Sequence, residues 1–158
     1  MTDNYIGIMI ESLRRKKDVL ADILKLSEEQ SLLLDDPNLE PDTFEKNVNR
    51  KAALIDKLEQ LDTGFESLYD KVKEELESNR DIHKEQIRQM QELIRALTEL
   101  NMQIQATEAR NKEKATAKFA YIRQQAKEIR SSQKIVKEYY NNMMQKAYNE
   151  PHFLDNKK

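Results

Sequence analysis

Residues 82–148 read IHKEQIRQMQELIRALTELNMQIQATEARNKEKATAKFAYIRQQAKEIRSSQKIVKEYYNNMMQKAY, 67 positions without a glycine or a proline. An apolar seam follows most of the stretch through Ile87, Met90, Ile94, Leu97 and Ile104. Farther on it passes, seven residues apart, through Ile122, Ile129, Val136 and Met143. Alternating steps of three and four mark a helix with one buried stripe. At about 1.5 Å per residue such a helix extends on the order of 100 Å. No other segment of the chain is long enough to cover it. Either the helix bends back on itself, or its far end meets a partner outside the chain.

The composition agrees with long helices. Of 158 residues, 35% are charged and 6% aromatic, with two glycines, three prolines and no tryptophan. Few helix breakers and abundant Glu, Lys, Leu, Gln and Ala favour helix over sheet. The 38% hydrophobic content fills a narrow seam rather than a thick core. Net charge is −2, unevenly spread: residues 1–80 carry 12 basic and 19 acidic side chains, residues 81–158 carry 15 and 10. Without cysteine there is no disulfide, thiol catalysis or Cys-based metal site. No apolar run approaches a membrane span, and the acidic start lacks a signal-peptide pattern, so a cytoplasmic location is expected.

Upstream, Ile6, Ile10, Leu13, Leu20, Leu24 and Leu34 share a face of a first helix over 4–34, with Met9 and Ile23 beside them. Asp35-Asp36-Pro37 stops it, because proline removes an amide donor and disfavours helix at the preceding residue. Asp42 and Glu45 have the spacing of a capping box. A second helix over 42–78 carries Leu54, Leu58, Leu61, Phe65, Leu68, Val72 and Leu76, with Gly64 inside it at a cost of about 1 kcal/mol. Ser78 to Asp81 supplies capping side chains for a turn; one continuous helix with a stutter is the alternative.

The expected fold is all-α: an elongated antiparallel bundle or coiled coil of about three long helices, the C-terminal one longest, in a single domain over 1–158. The third helix covers 82–148, any bend falls at 101–111, and a flexible tail occupies 150–158. Asn101, Glu108 and Asn111 stand where the seam calls for leucine, and polar groups at such positions fix register or oligomeric state.

Little of this can carry catalysis. His83 and His152 have no acidic residue at metal-ligand spacing and read as solvated side chains. No phosphate-binding glycine loop or nucleophile elbow is present, and no catalytic residue, metal or cofactor is expected. The basic run Arg110, Lys112, Lys114, Lys118, Arg123, Lys127, Arg130, Lys134 and Lys137 spreads around most of the helix at 100° per residue. A nucleic-acid surface would gather such charges on one face, so no nucleic-acid partner is expected.

The late stretch differs. Val136, Tyr139, Tyr140, Met143 and Met144 cover a sector about 140° wide. Tyrosine offers large contact area at low entropic cost, and methionine adapts to varied surfaces. With Ile122 and Ile129 they form a candidate binding face for another protein; intramolecular core is the competing reading.

A wider resemblance runs through Leu20-Ala-Asp-Ile-Leu-Lys-Leu-Ser-Glu-Glu-Gln30, Lys51-Ala-Ala-Leu-Ile-Asp-Lys-Leu-Glu-Gln-Leu-Asp62 followed by Gly64-Phe65, Ile104-Gln-Ala-Thr-Glu-Ala-Arg-Asn111, and Tyr139-Tyr140-Asn141. The chain resembles the FlgN family of flagellar type III export chaperones over most of its length. The resemblance implies a cytoplasmic chaperone that holds the helical C-terminal segment of hook-associated (hook–filament junction) proteins and delivers them to the export apparatus. It implies a cargo-binding region over Arg123 to Met144, and a contact of Tyr139 or Tyr140 with a component of the membrane export gate. Many relatives have a Gly- or Pro-containing tail after the position of Asn111, whereas this chain predicts helix. The alternative is a structural coiled-coil or adaptor protein assembling through its long helix, as a homodimer for example.

Overall fold

The computed structural model describes residues 2–122, 137–139 and 141. Three helices make up nearly all of it: α1 Thr2–Asp35, α2 Pro41–Ser78 and α3 Lys84–Ile122. Among the described residues no strand forms. The remainder of the expected 82–148 helix lies outside the described residues, apart from helical Lys137, Glu138, Tyr139 and Asn141. Through 101–111 α3 continues as helix.

The first connection is closed by its own backbone. The Asp36 amide donates to the Leu33 carbonyl at 3.1 Å and the Asn38 amide to Asp36 Oδ1 at 2.8 Å. The expected capping box is replaced by another start. Pro41 takes the first helical position, where its missing N–H costs nothing and its fixed φ suits the helix. The Glu40 carbonyl accepts from Thr43 and Phe44 at 3.1 and 3.3 Å. Asp42 therefore stands inside the first turn, where its charge meets the positive end of the helix dipole.

The second connection is the turn expected near 78–81. Ile82 and His83 donate their amides to the Asn79 carbonyl, and the His83 carbonyl accepts from Ile87 at 2.9 Å. Here the expectation of a solvated His83 is corrected: its side chain is buried, with Nε2 2.9 Å from Glu75 Oε2. The turn folds the imidazole back onto the last turn of α2, where Glu75 waits. That hydrogen bond is the largest influence holding the Glu75 carboxyl below its usual range.

The helices pack in two compact units. Unit 1 takes described residues from 1–21 and 56–100, and unit 2 those from 22–55 and from 101 onward. In unit 1, α1 and α2 run antiparallel, with Lys16 paired to Asp62 at 2.6 Å and Lys71 standing over the Tyr5 ring at 5.4 Å. Its interior is mainly apolar, with Lys16 and His83 the buried polar side chains among the described residues. Ile6, Met9, Ile10, Leu13 and Leu20 of α1, Leu58, Phe65, Val72 and Leu76 of α2, and Ile87, Met90, Ile94 and Leu97 of α3 are all buried. Each such side chain contributes roughly 1.5–3 kcal/mol on burial. In unit 2, α3 runs antiparallel to α2, with the Phe44 and Phe119 rings edge to face at 5.3 Å. It runs parallel to α1, as the Ser27–Asn111 and Ser31–Lys114 pairs show.

Candidate functional site

With Asn47 beside them, the residues that form the buried stripe of α2 in unit 2 are Phe44, Val48, Lys51 and Ile55. Steps of four, three and four put a lysine in the middle of the core stripe. It is fully enclosed, at 0% exposure. Gln30 from α1 and Glu108 from α3 reach it at the same level. Lys51 Nζ donates to Glu108 Oε1 at 2.8 Å and to Gln30 Oε1 at 3.0 Å. Asn111 Nδ2 donates to the Ser27 carbonyl at 2.8 Å and to Gln30 Oε1 at 3.2 Å. Asn47 Nδ2 bonds the Leu26 carbonyl at 2.9 Å and Glu29 Oε1 at 3.0 Å. Three helices are thus tied through one polar layer.

An ammonium group carries three N–H bonds. Two are used by Glu108 and Gln30, and the ring of Tyr139 stands 4.2 Å from Lys51 Nζ. A cation this near an aromatic face is attracted by the ring quadrupole, more strongly where water is excluded. Tyr139 is only 5% exposed, whereas Lys137, Glu138 and Asn141 around it are exposed. Burial pushes the Lys51 amine down to about 8, against the opposing pull of the Glu108 charge.

The layer is not fully bonded. Glu108 Oε2, Asn111 Oδ1, Asn47 Oδ1 and Ser27 Oγ are buried without a hydrogen-bond partner among the described residues. A buried polar atom left unmet costs roughly 1–3 kcal/mol. Such a layer sets the register of the three helices more than it adds stability.

Of the expected partner-binding residues, Tyr139 is placed against α2 and Ile122 ends α3. Ile129, Val136, Tyr140, Met143 and Met144 lie outside the described residues. The basic run divides. Lys114 Nζ meets Ser31 Oγ and Asp35 Oδ2, each at 2.9 Å, and Lys118 Nζ meets the Asp36 carbonyl at 2.6 Å. These cations serve the C-terminal end of α1, where carbonyls point outward. Among the described residues no group of His, Asp and Glu side chains could hold a metal ion. No helix of the described residues is long and apolar enough to cross a membrane.

A second feature lies in unit 1. Ile8, Glu11, Ser12 and Arg15 of α1, with Gln60, Leu61, Gly64 and Leu68 of α2, line an open groove of about 270 Å³. Ile8 on its rim is 53% exposed.

Reading the leucines of α2 misses Lys51, since Leu54, Leu61 and Leu68 are only half-buried. A signal exists nonetheless. Phe44, Lys51, Leu58, Phe65 and Val72 are each seven apart and all buried, as are Met9, Lys16, Ile23 and Gln30 on α1.

A family model described as FlgN protein matches residues 1–148. No curated protein and no solved structure matches the chain.

Proposed function

The chain belongs to the FlgN family, and from that premise we propose that it is a cytoplasmic escort for hook-associated junction proteins of the flagellum. A role in flagellar export as a chaperone follows from the family itself. The finer reading adds cargo, surface and delivery. The cargo is the helical C-terminal segment of a junction protein. The surface is Ile122, Ile129, Val136, Tyr139, Tyr140, Met143 and Met144. Delivery is to a component of the export gate.

The single observation that carries this reading is the family match over residues 1–148, which takes in that whole late stretch. The physical logic is direct. A subunit that polymerises through an amphipathic helix stays soluble only while the apolar face of that helix is covered. A helix of complementary pattern covers it without chemistry or nucleotide.

Calorimetric titration of a junction-protein C-terminal helix into the full chain tests the surface. Saturable binding is expected. Val136→Asp and Met143→Asp should each weaken it by roughly tenfold or more, as losses at buried anchors do, while circular dichroism shows the bundle still folded. Unchanged affinity in both variants would remove the surface from the proposal. A constitutive dimer that takes up no cargo would favour a structural coiled coil instead.

A further inference from the structure

Tyr139 belongs to the proposed cargo face, yet in the free chain its ring is already engaged. Of the four described residues in its segment it alone is buried, and it turns onto Lys51 rather than toward solvent. From this placement we propose that Tyr139 is an intramolecular latch: its ring is held on the Lys51–Glu108 pair of unit 2, and it must leave that socket before residue 139 can engage a partner. The inference rests on the cargo reading only in its second half. The docking itself stands on the geometry of this chain.

The socket is specific in its chemistry. Its floor is a cation whose two other N–H directions are committed, to Glu108 at 2.8 Å and to Gln30 at 3.0 Å. An aliphatic side chain at 139 would cover the same area but meet the ammonium with no charge complement. A tyrosine face meets it with negative quadrupole density. Where water is excluded, such a contact is worth up to about thirtyfold in population. That is large enough to keep the Tyr139 ring docked and small enough for a partner to reverse. A binding-competent state populated only in part weakens apparent affinity by the same fraction. The latch therefore makes the free chain a poorer binder than its open form, and grades binding by how well a partner replaces what Tyr139 gives up.

The chain has no tryptophan, so Tyr139→Trp introduces a single reporter into the full-length protein. In this background the emission maximum should be blue-shifted and acrylamide quenching weak. Replacing the pair together, by Lys51→Gln with Glu108→Gln, removes the cation without leaving a lone buried carboxylate. Emission should then move to the red, and the quenching constant should rise several-fold. Should that pair fail to fold, as judged by circular dichroism, Lys51→Leu with Glu108→Leu offers an apolar replacement with the same expectation. A reporter that stays blue and protected without the cation would overturn the latch, and so would one already exposed beside the native pair.

The cargo arm uses native Tyr139 and a junction-protein C-terminal helix. With the pair neutralised, the apparent Kd should fall about three- to tenfold. A released reporter with unchanged cargo affinity would overturn the competition. Absence of cargo binding by wild type and variant alike would defeat the cargo reading under Proposed function, while the fluorescence result still decides the docking.

Discussion

The two units are built from the same three helices and the same heptad spacing, yet their interiors differ. Where unit 1 places Ile6, Leu13 and Leu20 on α1 at intervals of seven, the same series enters unit 2 with Ser27 before returning to Leu34. Where α3 gives unit 1 Met90 and Leu97, it continues into unit 2 through Ile104 to Asn111. Apolar layers hold helices together but tolerate sliding by a turn. A layer of Gln30, Lys51, Glu108 and Asn111 makes its hydrogen bonds between helices in one register only. The contrast is a division of labour. Unit 1, whose buried polar side chains are Lys16 and His83 among the described residues, is held mainly by apolar packing. The polar layer of unit 2 fixes alignment and carries the socket for Tyr139.

The sharpest way to break this comparison is to orphan a charge. Glu108→Ala should leave the Lys51 ammonium buried without its counterion and cost about 3–5 kcal/mol, read from the shift of the urea midpoint. Replacing both members, by Lys51→Leu with Glu108→Leu, should return most of that loss. If the single and double variants are equally unstable, the layer is held by packing and not by charge. In unit 1, Leu97→Ala removes only contacts and should cost about 2–4 kcal/mol; there no second substitution of a polar neighbour should rescue it.

Alkaline titration sharpens the contrast further. The Lys51 amine loses its proton near 8 in the folded chain, below its ordinary value of 10.5. Between those values the unfolded chain binds more protons, so stability must rise with pH across the window. The gain from this group approaches about 3 kcal/mol by pH 10.5. Urea unfolding at pH 7, 8, 9 and 10 should show that rise in the wild type relative to the double leucine variant, which lacks the group. A constant difference between the two proteins would contradict it.

The smallest expected effect has the opposite sign. Gly64 is helical, and a Cβ built there meets nothing within 4 Å. Gly64→Ala should therefore stabilise by about 0.5–1 kcal/mol through helix propensity alone, raising the melting temperature by a few degrees. No change or a loss would mean that the groove lined by Ile8, Leu61 and Leu68 is more crowded than its walls indicate.

What was legible in the sequence divides along the same line. Regular three-four spacing of Ile87, Met90, Ile94 and Leu97 foretold both the helix and its buried face, since hydrophobic periodicity is a local signal. Glu108 and Asn111 were legible as exceptions within that pattern, and both prove to be buried and hydrogen-bonded to other helices. Lys51 was not. A lysine on a helix rich in charge reads as surface, and the partner that makes its burial tolerable stands 57 positions later. His83 was hidden for a related reason: its environment is created by the turn and by Glu75, not by its neighbours in a stripe. For Tyr139, intramolecular core was legible as the competing reading, but its docking on Lys51 was not, because periodicity assigns that lysine to the surface.

Hydrogen exchange, followed peptide by peptide with and without a junction-protein C-terminal helix, tests the division of labour most directly. Exchange should slow across residues 122–144 when the helix is bound and stay unchanged across 6–20 and 87–97. Slowing confined to 6–20 and 58–72 would contradict it, because the cargo would then sit in the groove of unit 1 with the late segment idle.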